Sequence, residues 1–445
     1  MSSSRLPAHE ATTAQLGAAY PFVASRPLGV PHILVGRDLA GGPFVHDPFQ
    51  LYSSGVLTNP NMTILGQIGR GKSALVKSYL YRQAAFGRQI AVLDPKGEYG
   101  PLARALGVEP IVLSPTGGVR VNPLDTEGIG VGDDGASRHR RLVLLAGLAE
   151  ATLHRRLAPP EHLALEIGLD EATAQNPVPT LASVVERVLH PARHAARSVG
   201  ISAETLESEG RDVGLELRRL VRGDLAGMFD GETSPSLWRA SSGAGGAGDT
   251  GDVDDPGARP VERGGDRSSV ALVVDLSEVY HSEALPALMV CAAAWLHAMT
   301  SNAGVQTLLV VDEAWAVLSD VAVGRFLRSS WKLARSKGVA NVAVCHRASD
   351  LSASGATGSE EARLAEGLLA DSETVVCYAQ PASELVPLAG LLGCSVSDID
   401  FLPRLGRGVA LWRVAGQSYL VENLLARHEL AMVDTDGRLR QPTTA

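Results

Sequence analysis

The sequence predicts an α/β fold on a mostly parallel sheet, interrupted once by an all-helical insertion. Three observations carry this. The compact apolar run Asn61–Leu65 is followed by a helical stretch from Ser73 to about Phe86 and by a second apolar run, Ile90–Leu93. That order and spacing is a βαβ unit, whose strands must lie parallel. From about Ser137 to Asp230 the apolar spacing changes to three and four residues, and after about residue 270 the alternation of strands and helices resumes.

Taken in order, residues 1–20 are rich in Ser, Ala and Thr without a clear period and read as a flexible tail. Residues 21–136 form the first part of the α/β unit, with short β-like pieces at His32–Gly36 and Pro43–His46 and a further strand at Pro110–Leu113. Residues 137–235 form the all-α insertion, with segments such as Arg138–Leu157, Thr180–Leu189 and Val213–Leu225; its basic pairs, Arg140–Arg141, Arg155–Arg156 and Arg218–Arg219, read as solvated helix faces, with a partner or DNA surface as the alternative. Residues 236–269 are mostly Gly, Ala, Asp, Ser and Arg, too poor in large apolar groups to repay ordering, and read as a disordered loop. Residues 270–430 complete the α/β unit, with strands at Ala271–Leu276, Thr307–Val311, Asn341–Cys345, Thr374–Ala379, Gly408–Val414 and Gln417–Val421, and helices at 283–299, 321–337 and 359–370. A second tail, 431–445, ends the chain.

Of 445 residues, 45% are hydrophobic and 20% charged, the balance of a globular protein with a substantial core. The net charge of −9 gives no global basic field to advertise nucleic-acid binding. Cys291, Cys345, Cys377 and Cys394 stand singly in apolar surroundings and read as core residues of a cytoplasmic protein. The nearest approach to a membrane span, Ala284–Met299, is too short and is broken by Pro286 and His297, so it reads as a buried helix. Only five residues are lysine (72, 77, 96, 332 and 337) against thirty-five arginines, so each lysine marks a place where arginine may not serve.

The chemistry begins at Gly66-Gln67-Ile68-Gly69-Arg70-Gly71-Lys72-Ser73, a strand-to-helix loop whose glycines let backbone N–H groups turn inward onto phosphate oxygens. Lys72 would reach the β- and γ-phosphates, the Ser73 hydroxyl would ligate Mg²⁺, and Ala74 continues the contact into the helix, whose positive end faces the anion. The pattern predicts that the α/β unit is a RecA-like P-loop NTPase, with ATP and Mg²⁺ as the expected cofactors. The run Leu308–Val311 then delivers Asp312 to the metal shell and Glu313 to the attacking water. Ile90–Leu93 ends in Asp94-Pro95-Lys96-Gly97-Glu98-Tyr99. In a parallel sheet that places these charges on the ligand-binding edge, the acids toward metal or water and Lys96 toward the phosphates; a plain charged turn is the alternative. Val342–Cys345 ends in His346 and Arg347, placing His346 as a sensor of the γ-phosphate and Arg347 as a clamp on its loop; a satisfied polar cap is the alternative.

With these motifs in view, the chain resembles the HerA–FtsK superfamily of ring-forming ATPases, in particular the C-terminal ATPase portion of the large TraC-like traffic ATPases of type IV secretion and conjugation. The likeness runs from about Gly29 to Val421 and rests on DPKGEY (94–99), VNPLD (121–125), GDLAGMFDG (223–231) and VAVCHR (342–347) beside the P-loop. It implies nucleotide contacts at residues 66–74, Mg²⁺ on Ser73 and Asp312, catalysis by Glu313 and an acidic contribution from Glu98. It also implies a homo-oligomeric, hexameric ring completed by an arginine from the neighbouring subunit, for which Arg335 and Arg407 are the candidates. Its implied partners are components of a secretion or conjugation apparatus at the inner face of the cell membrane, reached by peripheral association, with DNA or protein as cargo. Two features depart from the pattern: His346 stands where glutamine is usual, and the separate N-terminal domain is nearly absent. A HerA- or coupling-protein-like DNA translocase, and a nucleotide-gated assembly factor with little turnover, are the competing readings.

Overall fold

In the computed structural model the described residues are Leu28, 33–125, 134–223, 225–235, 237, 271–282, 284–300, 305–318, 338–347 and 371–433, with single residues at 324, 331, 349 and 367. The tail over residues 1–20, nearly all of the loop at 236–269, the helices expected at 321–337 and 359–370, and Arg335 lie outside them.

Among the described residues one sheet of eleven strands organises the fold: β1 (Leu34–Asp38), β2 (Pro43–Val45), β3 (Met62–Leu65), β4 (Gln89–Asp94), β5 (Ile111–Val112), β6 (Ala271–Asp275), β7 (Thr307–Val311), β8 (Val339–Cys345), β9 (Thr374–Cys377), β10 (Val409–Val414) and β11 (Gln417–Asn423). Their order is β2-β1-β11-β10-β9-β3-β8-β7-β4-β6-β5. From β9 to β5 every pairing is parallel, whereas β2, β1, β11 and β10 form an antiparallel flank.

The parallel strands are apolar on both faces, as strands covered twice must be. Ile90 and Val92 of β4, Leu308 and Val310 of β7, and Val342 and Val344 of β8 face one core, together with Leu75, Val76, Tyr79 and Leu80 of the helix Lys72–Ala85. Ala91 and Leu93, Leu309 and Val311, and Ala343 and Cys345 face the other. The helix Leu285–Thr300 packs into that second core with Leu288, Trp295 and Leu296 completely buried. Among the described residues no helix is long and apolar enough to cross a membrane, and this apolar stretch is the buried helix its sequence predicts. All four cysteines are free, three of them buried.

Between β5 and β6 the described chain forms five helices, Asp134–Leu153, Pro159–Gln175, Leu181–Leu189, Arg193–Ser198 and Ala203–Val221. The second and fourth are additional to the sequence reading, and the last begins ten residues before the periodic segment at Val213. Leu144, Leu148, Leu165, Val184, Val188, Val213 and Leu217 belong to the same cluster as the sheet face carrying Leu93 and Val311, so insertion and sheet share one core.

A buried histidine ties the antiparallel flank to the centre. His46 lies against Tyr79 Oη (2.9 Å) and Thr374 Oγ1 (3.2 Å), and burial lowers its pKa to about 4 against a small opposing effect of Asp47. A group depressed from 6.5 favours folding above pH 6.5 and loses that advantage as the pH falls toward 4, because the unfolded chain takes up the proton first. Acid denaturation monitored by circular dichroism is therefore expected to be shallower between those limits in His46→Gln, by up to about 3 kcal/mol. Parallel curves for the two proteins would remove His46 as a source of acid sensitivity.

Candidate active site

Four adjacent strands in the sheet, β3, β8, β7 and β4, each end in one of the charged or glycine-rich segments singled out in the sequence. Ligands of parallel sheets gather at the carboxyl edge, so this order brings segments far apart in the chain to one rim.

After β3 the loop 66–71 turns sharply into the helix Lys72–Ala85, capped by Gly71 in the left-handed conformation (φ 113°) with no side-chain cap. The first-turn N–H groups of that helix are thus left for an anion. Gly66 admits no side chain: a Cβ there would sit 2.5 Å from Tyr378 Cβ. The far end of the loop is fastened by Gly408 N–H donating to the Arg70 carbonyl (2.9 Å). Lys72 is buried, and its ammonium donates to the carbonyls of Gly66 and Gln67, the latter at 3.1 Å. Burial lowers its pKa against the pull of Asp312 and Glu313. The Ser73 and Ala74 side chains are only partly covered in the first turn.

From Lys72 a line of contacts crosses the rim. Its Nζ lies 3.2 Å from His346 Nδ1; His346 Nε2 lies 2.9 Å from Glu313 Oε1, which also pairs with Lys96 Nζ at 2.5 Å. With an ammonium on Nδ1 and a carboxylate on Nε2, the ring is set as the Nε2–H tautomer. The His346 carbonyl accepts from Gly66 N–H (3.1 Å) and Gln380 Nε2 (3.0 Å), which locks β8 to the start of the phosphate loop. Trp315 Nε1 donates to the other oxygen of Glu313.

Glu313 is thus a carboxylate with both oxygens engaged. Burial pushes its pKa up, but hydrogen bonds from His346, Lys96 and Trp315 outweigh burial and hold it at about 2. Its backbone is left-handed (φ 51°), a conformation that costs a non-glycine residue about 1–2 kcal/mol. The Glu313 N–H donates to Asp312 Oδ1 (2.9 Å), which helps to hold it there. Asp312 has the opposite electrostatics: burial first, then the charge of Glu313, raises its carboxyl to about 7.

The segment after β4 folds over this rim. Asp94 is completely buried, and its carboxylate accepts from Lys96 N–H (3.2 Å) and Tyr99 N–H (2.8 Å); burial still raises it to about 6. Gly97 turns with φ 70°, and a Cβ there would press on Ser277 Oγ (3.0 Å) and Asp275 Oδ2 (3.1 Å). The turn is what swings Lys96 onto Glu313. For Lys96, burial opposes the charged form, but the hydrogen bond and charge of Glu313 prevail and raise its pKa.

In front of the loop lies an open cleft of about 710 Å³ lined by Gln67, Ile68, Gly69, Arg70, Trp315, His346, Arg347 and Arg407. Arg407, read from the sequence as a candidate to act on a neighbour, lines the cleft of its own chain. Trp315 and Gln380 were not singled out in the sequence. Trp315 directly follows Ala314 and the acidic pair, whereas nothing local marks Gln380.

The residues fit Mg²⁺. Among the described residues no group of three or more His, Cys, Asp or Glu side chains could hold a metal by itself. A half-covered serine hydroxyl and one buried aspartate, beside a phosphate cradle, form the sparse oxygen set this ion uses when phosphates and water complete its shell.

No protein-family model and no curated protein matches the chain by sequence. Solved structures do match. VirB4 of Thermoanaerobacter pseudethanolicus superposes with a TM-score of 0.65 and 22% identity, over 90% of this chain and 98% of that one. The plasmid coupling protein TrwB matches in complex with the non-hydrolysable ATP analogue ADPNP (TM-score 0.54, 14% identity, 82% of this chain and 86% of that one). TrwB also matches in complex with ADP and Mg²⁺ (TM-score 0.53, 14% identity, 89% and 91%). The chain therefore has the α/β fold of RecA-like P-loop ATPases such as VirB4 and TrwB, and the resemblance read from the DPKGEY and VNPLD segments holds at the level of the fold.

Proposed function

We propose that this chain is a Mg²⁺-dependent ATPase that works as a ring-forming, hexameric motor and energises the transfer of a macromolecule in a conjugation or type IV secretion system. The observation that carries the reading is the Lys72–His346–Glu313–Lys96 line, which ties a phosphate-loop lysine, a sensor position and a base position into one contact chain. Its support from outside is the fold shared with VirB4 and TrwB, the latter seen with ADPNP and with ADP and Mg²⁺.

In this reading the backbone amides of residues 66–74 wrap the phosphates, and Lys72 exchanges the carbonyls of Gly66 and Gln67 for phosphate oxygens. Ser73 and Asp312 would hold Mg²⁺, which when bound would supply charge screening to the phosphates. Glu313 orients and polarises the attacking water, with Glu98 adding negative charge at the same rim. His346, in contact with both Lys72 and Glu313, senses whether a γ-phosphate is present. Arg347 and Arg407 supply positive charge at the cleft, and Arg335 is the candidate to reach a neighbouring subunit.

The test is phosphate release from ATP by size-fractionated protein, with and without Mg²⁺ and with and without double- or single-stranded DNA. Turnover that needs Mg²⁺ and concentrates in the oligomeric fractions is the expected result. Stimulation by DNA would assign DNA as the cargo. Nucleotide binding without turnover in any fraction would overturn the motor in favour of a nucleotide-gated assembly factor.

A further inference from the structure

The helix that begins at the phosphate loop buries a second lysine that the reading above does not use. Lys77 is completely buried, yet its Nζ has no hydrogen-bond partner among the described residues. It stands five residues after Lys72, about 140° further round the helix, so it does not face the phosphate loop. An unpaired ammonium inside a protein costs several kcal/mol, and an aliphatic side chain of similar size would fill the same space without that penalty. In a chain with thirty-five arginines and five lysines, a compact ammonium has been kept at this point.

Its surroundings show what it serves. Burial is the largest influence on Lys77 and disfavours its charge; the opposing pull comes from Glu98 first, then Asp94, then Asp312. Its Nζ also stands 5.5 Å from the centroid of the Tyr99 ring, within cation–π range. These groups belong to the segment after β4 and to the tip of β7, so the ammonium touches that segment through the Tyr99 ring and feels the charge of carboxylates from two loops. Asp94 already spends its oxygens on the N–H groups of Lys96 and Tyr99. Without a buried positive charge, three acids in low dielectric would repel one another and push the loop away from the rim.

We infer that Lys77 is a positioning residue: a counter-charge carried on the phosphate-loop helix around which the 94–99 loop closes, so that Lys96 and Glu98 are set on the rim by the same helix that begins at the phosphate loop. The inference deepens the ATPase reading and rests on it for its kinetic consequence, but the placement of the loop can be measured without turnover.

The experiment compares the full-length wild type with Lys77→Met, Lys77→Arg and the double variant Lys77→Met/Glu98→Gln. Three readouts are taken: hydrogen–deuterium exchange of the 96–99 amides without nucleotide, kcat and KM for ATP with Mg²⁺, and affinity for fluorescent ADP in EDTA. Lys77→Met is expected to speed exchange at 96–99 by about tenfold while the strands β3 and β8 keep their protection. Its kcat should fall by at least about tenfold, with metal-free ADP affinity changed by less than about threefold. Lys77→Arg should resemble Lys77→Met, because the larger guanidinium does not fit a fully enclosed site. The double variant removes one charge of each sign and is expected to restore slow exchange at 96–99 without restoring kcat.

Unchanged exchange at 96–99 in Lys77→Met would overturn the inference. So would faster exchange spread evenly over the helix and sheet, since that is the mark of a packing residue. If Lys77→Met does not fold, recovery of a folded protein by the double variant sustains the charge pairing, and failure of both overturns it. A wild type that hydrolyses no ATP would defeat the proposed function while leaving the exchange comparison valid.

Discussion

Glu313→Gln is expected to bind ATP as tightly as the wild type and to release phosphate about 10²- to 10⁴-fold more slowly, the usual contribution of a positioned base. The geometry sets both halves of the expectation. Glu313 lies two residues past the end of β7, next to Asp312, and its two oxygens are divided between Lys96 with His346 on one side and Trp315 on the other. An amide has one acceptor oxygen, so glutamine can serve the lysine–histidine side or the indole, not both. The variant therefore loses the negative charge that in the proposed mechanism would polarise water and also misorients one of its partners, while the loop at 66–73 is untouched. Single-turnover phosphate release with radiolabelled ATP, together with equilibrium binding of ADPNP, separates the two effects. Equal rates for wild type and variant would remove Glu313 from catalysis.

Lys72→Ala carries the second large effect, a loss of nucleotide affinity of about 100-fold or more, measured by calorimetry with ATP and Mg²⁺. Lys72 is buried and holds the curled loop through the carbonyls of Gly66 and Gln67. Its removal deletes the charge that would meet the β- and γ-phosphates and leaves His346 Nδ1 without its donor, so binding and sensing should fail together. Tight binding by the variant would contradict the phosphate-loop assignment.

The parts of this arrangement that follow local rules could be read before folding. β3, β4, β7 and β8 announce themselves as aliphatic runs, because strands covered on both faces have no polar side to show. The loop 66–73 is fixed by its glycines and lysine at required spacings. The helix Pro159–Gln175 was harder: its apolar residues serve two separate clusters, Leu165 and Leu169 in one and Ala164 and Ile167 in another, so no single apolar stripe shows, and only its Pro-Pro start and Glu161 mark where it begins. Strand order was not legible either. That β8 lies between β3 and β7, bringing His346 onto Lys72 and Glu313 together, depends on pairings across nearly three hundred residues. Gln380 and Trp315 belong to the same class, because their roles exist only as contacts. The scarcity of lysine was the one compositional hint that Lys77 and Lys96 sit where chemistry is exacting.

The helices between β5 and β6 bury their leucines in the same continuous apolar body that covers one side of the sheet. Such a module is not an ornament that could be clipped away to leave a smaller stable fold. Excising it would strip bare the apolar sheet face that carries Leu93 and Val311, so the sheet would have to repack wherever these helices were removed.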